Sequence, residues 1–174
     1  LQADYSITAH FSACDAANKD DLESVFRNIK NVHGPLDILI YNVMAKPRGY
    51  YAPLDEYQLE TWDKVLAGNL TGAFFACREA SRHMASTVNG GSIILTASTY
   101  GVVGPDQRIY DGLSANTNIY ESEFPLNTPT SYSVSKAGLI GLVHHMATTL
   151  GEHQIRVNAL TPGGIYDNQH EDFH

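Results

Sequence analysis

Tyr132 and Lys136 stand four positions apart in the run SYSVSKAG at 131–138. Leu139, Leu142, Val143, Met146 and Leu150 continue that run at helical spacing, which predicts an amphipathic helix over 132–150. Positions i and i+4 share a helix face, so a phenol and an ammonium project together near the helix N-terminus. A cation beside a phenol lowers the phenol's pKa from its reference near ~10. A tyrosine tuned in this way suits general acid/base catalysis near neutral pH. The pair alone is weak evidence in a chain with ten tyrosines. A surface lysine above a half-buried tyrosine has the same spacing, so the neighbours decide.

The elements that must position the pair follow in order. Residues 6–13 (SITAHFSA) read as a short strand ending at Cys14 and Asp15. Asn18 or Asp20 can cap a helix with Leu22, Val25, Phe26 and Ile29 on its apolar side. Gly34 and Pro35 stop it. Residues 36–41 (LDILIY) are nearly continuous apolar, the pattern of a strand covered on both faces. A long helix is predicted over 56–86, a strand over 92–97 (SIILTA) and a last strand over 154–160 (QIRVNAL). This alternation implies a parallel sheet in an α/β layered domain. Ligands of such sheets bind beyond the carboxyl ends of the strands. The residues at those ends are Cys14-Asp15, Tyr41-Asn42, Ala97-Ser98 and Thr161-Pro162-Gly163. A Ser98 hydroxyl there can reach the same crevice as Tyr132. A turn-initiating serine would look the same in sequence.

Bulk properties narrow the class. The 174 residues suit one domain, with 43% apolar and 17% charged residues. A net charge of −8 without a Lys/Arg cluster argues against nucleic-acid and anionic-membrane partners. Cys14 and Cys77 form no CxxC pattern and fit a reducing, cytoplasmic compartment. No apolar run approaches the ~18 residues of a membrane span.

Six ordered segments resemble the short-chain dehydrogenase/reductase family: CDA at 14–16, LDILIYN at 36–42, NLTG at 69–72, GSIILTAS at 91–98, YSVSKA at 132–137 and RVNALTPGGI at 156–165. The resemblance implies an α/β, Rossmann-like, three-layer parallel sheet. It implies an NAD(P)-dependent oxidoreductase that interconverts a carbonyl and a secondary alcohol. Tyr132 would move the proton. Lys136 would depress its pKa and hold the nicotinamide ribose. Ser98 would orient the substrate oxygen, and Asn69 would support a water-linked proton path. Asp15, Ala16, Asn42 and Ile165, with Tyr132 and Lys136, would line the cofactor site. The partner would be a small-molecule carbonyl or alcohol, and the full-length protein a homodimer or homotetramer.

Two departures qualify this. No glycine-rich pyrophosphate turn follows a first strand. The family's first two strands and its C-terminal part are missing from the stretch, so the domain over 1–174 is expected to be partial. The strand that would select the cofactor lies outside it, which leaves NAD or NADP. In the expected strand order the 6–13 and 36–41 strands would stand roughly 14 Å apart. The unpaired edges predict that these 174 residues alone make no stable, cofactor-competent domain. The second departure is an irregular insertion at about 102–130, which puts Ser98 and Tyr132 34 positions apart. A long loop that begins and ends beside the candidate catalytic residues reads as a substrate-facing cover. With the segment at 162–169, it most resembles bacterial sugar-modifying reductases of flagellin or surface-glycan biosynthesis.

Other functions fit the sequence less well. His170, Glu171 and His174 match H-E-x-x-H, a zinc pattern when helical. Here the motif follows a Pro-Gly-Gly break without a third ligand, so no metal is expected. A 3-oxoacyl-carrier-protein reductase is the rival substrate class, disfavoured by the absence of a basic patch for an acidic carrier. A non-catalytic fragment or binding protein is the other alternative. The presence of all four of Asn69, Ser98, Tyr132 and Lys136 argues against it.

Overall fold

β1 (Ile38–Tyr41), β2 (Gly91–Thr96) and β3 (Ile155–Leu160) form one parallel sheet in the order β1-β2-β3. The structure is a computed structural model and describes residues 7–112 and 122–165. Leu39 lies beside Ile93 and Ile93 beside Val157; Tyr41, Leu95 and Ala159 make the next row. These rows face the helices. Ile93 and Leu95 are fully buried, and burial of side chains of this size contributes about 1.5–3 kcal/mol each.

The helices are α1 (Lys19–His33), α2 (Leu59–Leu66), α3 (Gly72–Met84) and α4 (Thr130–Leu150). Asn18 is the cap of α1, its side-chain oxygen accepting from the Asp20 and Asp21 amides. α1 packs on α3, α3 on β1 and β2, and α4 on β2 and β3. Both crossovers, β1 to β2 and β2 to β3, run the same way across the sheet. Right-handed crossovers then fall on one face. The described residues therefore supply the sheet and one helical layer.

The other face corrects the expectation for 36–41. Ile38 and Ile40 are 57% and 63% exposed, and Leu160, on the same face of β3, is 56% exposed. The strand is covered on one side only among the described residues. Residues 7–13 correct the expectation of a strand there: they are irregular and exposed. A strand needs a neighbour to take its N–H and C=O groups. Among the described residues, the sheet holds three strands, and no further strand lies at the outer edge of β1.

The predicted helix over 56–86 is three pieces. α2 and α3 are joined by a π-helical turn, Ala67–Thr71. The extra residue of a π turn disturbs the backbone ladder, a feature frequent at functional sites. The Tyr41 hydroxyl donates to the Gly68 carbonyl, and the Asn69 side chain is fully buried at the centre of the turn.

Candidate active site

β2 ends at Thr96, and the turn Thr99–Gly101 follows it directly. Ser98 caps this turn, its hydroxyl oxygen accepting from the Tyr100 amide at 3.2 Å. Two backbone bonds hold the turn to the end of β3: Ala97 N–H to the Leu160 carbonyl at 2.8 Å, and Thr99 N–H to the Pro162 carbonyl at 3.1 Å. The turn also lies hard against α4. A Cβ on Gly101 would sit 2.7 Å from the Lys136 carbonyl carbon, so only glycine permits this approach.

Lys136 is buried, and its ammonium donates to the Thr96 carbonyl at 2.6 Å. It lies 5.7 Å from the centroid of the Tyr132 ring. Burial lowers the Lys136 pKa by disfavouring the charged form. Tyr132 is half-buried on the same helix face, one turn nearer the N-terminus. Lys136, with the Tyr132 ring 5.7 Å from its ammonium, thus lies at the carboxyl end of β2, and Ser98 stands two residues past that strand, where the topology of an open parallel sheet places a ligand.

Asn69 is drawn into the same assembly from α2–α3. Its side-chain oxygen accepts from the Ala45 amide at 2.8 Å, and its amide donates to Ser135 Oγ at 3.1 Å. Ser135 Oγ in turn donates to the Tyr132 carbonyl at 2.8 Å. As placed, the Asn69 side chain braces the π turn against the loop after β1 and against α4.

The remaining sequence-predicted residues border the crest. Asn42 follows β1 directly and is exposed; Ile165 follows the Pro162-Gly163-Gly164 break after β3 and is 68% exposed. The Ala16 carbonyl lies against Gly72, where an added Cβ would come within 2.1 Å of it. The Asp15 carboxylate is used locally, accepting from the Ala17 amide at 2.9 Å. The H-E-x-x-H motif at 170–174 lies outside the described residues. Among the described residues no group of His, Cys, Asp or Glu is arranged to hold a metal ion. No helix among them is long and apolar enough to cross a membrane.

Sequence reasoning missed the wall beside Tyr132. Tyr50, Tyr51 and Val65 form a second apolar cluster, with Phe124, Leu126 and Tyr132 packed against it. Asn127 Nδ2 donates to the Tyr51 carbonyl at 2.6 Å, and the hydroxyls of Tyr57 and Ser131 are 2.6 Å apart. Arg48 and Glu123 form an exposed ion pair between the same two segments. These contacts join residues 74 to 76 positions apart, so no local pattern announces them. The one available signal is the tyrosine content of both loops.

Comparison with known proteins gives the family. A family model described as short chain dehydrogenase matches residues 1–110, and one described as Enoyl-(Acyl carrier protein) reductase matches 111–173. The chain belongs to the short-chain dehydrogenase/reductase family. It is 30% identical over 158 residues to short-chain dehydrogenase reductase 5 of Arabidopsis thaliana, covering 90% of this chain and 52% of that protein. It is 31% identical to cis-4-hydroxycyclohexanecarboxylate dehydrogenase of Sinomonas cyclohexanicum, covering 86% of this chain and 50% of that protein. The chain spans about half the length of the curated relatives it matches. Among solved structures, a short chain dehydrogenase of Leptospira borgpetersenii with bound NAD+ superposes with a TM-score of 0.78 at 28% identity, covering 98% of this chain and 60% of that one. An NAD+-bound xylitol dehydrogenase gives a TM-score of 0.73 at 28% identity, covering 92% of this chain and 54% of that one.

Proposed function

We propose that this chain carries the proton-transfer half of an NAD(P)-dependent oxidoreductase that interconverts a secondary alcohol and a carbonyl. The observation that carries the reading is the Lys136 ammonium, 5.7 Å from the Tyr132 ring centroid and bonded to the Thr96 carbonyl two residues before Ser98. The residues present fit one end of the cofactor. Asn42 and Ile165 are exposed at the crest, and open space surrounds the Cα atoms of Gly163 and Gly164 beside them. A bound nicotinamide supplies the hydride donor or acceptor. In oxidation, Tyr132 takes the proton of the substrate hydroxyl, and in reduction it returns one to the carbonyl oxygen. Ser98 holds that oxygen and stabilises its developing charge. Lys136 keeps a positive charge beside the Tyr132 ring.

Within this reading the substrate is a sugar or a sugar nucleotide. The wall of tyrosines over Tyr132 and the likeness to a xylitol dehydrogenase support it. A second substrate class, a carrier-protein-bound acyl group, draws support from the description of the family model over 111–173. The net charge of −8 opposes docking of an acidic carrier. The free cysteines, Cys14 exposed and Cys77 buried, suit a reducing compartment such as the cytoplasm. Exposed Phe74 and Val134, on α3 and α4, support a homo-oligomer formed through these helices.

The test is Tyr132→Phe in the whole protein, assayed with NAD+ and NADP+ against secondary alcohols. Loss of general acid/base catalysis lowers turnover about 10²- to 10⁴-fold, while NADH binding measured by fluorescence stays within threefold. Undiminished turnover by this variant would falsify the reading.

A further inference from the structure

α4 begins at Thr130 behind Pro129, and no side chain caps its first turn. Ahead of it the insertion is tied to itself, Gln107 bonding the Thr128 N–H at 3.1 Å and the Thr128 carbonyl at 2.7 Å. These bonds hold the chain that enters α4 and leave the rotation of the helix to its buried face. Two polar groups on that face are Ser131 and Ser135, four apart, on one side of the helix and fully buried. Each is bonded to one end of α2. Ser135 Oγ accepts from the Asn69 amide at 3.1 Å, in the π turn that follows α2. The Ser131 and Tyr57 hydroxyls share a hydrogen bond of 2.6 Å, and Tyr57 closes the 3-10 turn Leu54–Glu56 just before α2.

Two bonds one turn apart fix a helix in rotation and in tilt. With one of them gone, α4 can turn about the other. Side chains reach about 5–6 Å from a helix axis, so a rotation of about 10° moves their ends by about 1 Å. Ser131 immediately precedes Tyr132 in the chain, so the bond from Tyr57 acts on the turn that carries the phenol. A displacement of this size at a reacting group costs up to about 10²-fold in rate.

We infer that Tyr57 is a positioning residue for proton transfer: through Ser131 it fixes the rotation of α4 and thereby the place of the Tyr132 phenol. The inference rests on the oxidoreductase reading of Tyr132. It is tested in the whole protein with NAD+ and either xylitol or cyclohexanol. Tyr57→Phe and Ser131→Ala each lower kcat about 10- to 10²-fold, while the KM for NAD+ is unchanged. The double variant strands no buried hydroxyl, so its urea midpoint returns toward that of the wild type, yet its kcat stays low. A kcat that recovers with the midpoint shows a structural role only and overturns the inference, as does an unchanged kcat in the single variants. Ser131→Ala, which strands only a half-buried phenol, decides the matter if Tyr57→Phe does not fold. A second readout needs no turnover. In protein labelled with [ζ-13C]tyrosine, the Tyr132 signal, assigned by its absence from Tyr132→Phe, moves in both single variants, and an unmoved signal also overturns the inference. Turnover that survives Tyr132→Phe sinks the oxidoreductase reading instead and is scored separately.

Discussion

The Lys136 ammonium donates to the Thr96 carbonyl across 2.6 Å, joining the second turn of α4 to the last residue of β2. One bond therefore fixes the cation relative to both the phenol on its own helix and the serine two residues past the strand. Charge-assisted bonds of this type are about twice as strong as neutral ones.

The first prediction concerns pH. Burial lowers the Lys136 pKa from its ordinary value of 10.5. The ammonium supplies the bond to Thr96, so raising the pH through the lowered pKa removes it, and turnover falls on the alkaline side before pH 10.5. The stability sign is opposite. The fold favours the neutral amine, so this group's stabilisation is fully present above 10.5 and is lost as pH falls through the lowered pKa. Lys136→Met abolishes this alkaline limb and lowers turnover by about 10²-fold. A pH–rate profile of the whole protein that stays level to pH 10.5 would count against the assignment.

Glycines on the two sides of α4 should respond oppositely. A Cβ at Gly101 meets backbone atoms of Lys136 and Ala137 at 2.7–2.9 Å, which cannot yield as a side-chain tip would. Gly101→Ala pushes the Ser98 turn off the helix. It costs about 1–3 kcal/mol of stability and lowers kcat. Gly141, exposed on α4, has nothing within 4 Å, and Gly141→Ala stabilises by up to about 1 kcal/mol through helix propensity. Urea titration of both variants checks the contrast; equal shifts would dismiss it.

Asn69 satisfies both ends of its side chain while fully buried. Asn69→Leu strands the Ala45 amide and one bond of Ser135. The expected cost is about 2–3 kcal/mol, with the loss concentrated at buried groups left without partners. Hydrogen exchange should quicken at Ala45 and around Tyr132. Protection unchanged at both places would show that Asn69 braces neither.

His83 is buried on α3, its ring edge-on to Phe26 at 5.8 Å, and among the described residues its Nδ1 has no hydrogen-bond partner. Burial, then the nearby Lys30 charge, lowers its pKa below 6.5. The fold favours the neutral ring, so its contribution is complete above 6.5 and is lost as pH falls through the lowered value. The Tm of the whole protein should drop over this acid range by more than that of His83→Phe. Parallel Tm curves for the two proteins would exclude His83 as the cause.

The sequence alone determined which residues could do the chemistry and the order of the elements that hold them. Tyr132 and Lys136 share a helix face because their spacing matches the helical period. Ser98 and Asn42 follow apolar runs that read as strands, so their place at strand ends was legible. These are local patterns, and local patterns survive without tertiary information. What only the tertiary structure decided involves groups far apart in the chain. Residues 7–13 of the strand expected at 6–13 are irregular and belong to no strand of the sheet. β1 is bare on one face because right-handed crossovers put every described helix on the other. The helix around Asn69 opened into a π turn as its side chain reached both Ala45 and Ser135. Gln107, Tyr110 and Thr128 met ahead of α4 through side-chain bonds that carry no periodicity. Spacing in sequence sets the partners available within a helix or strand; only closure of the whole chain sets those between them.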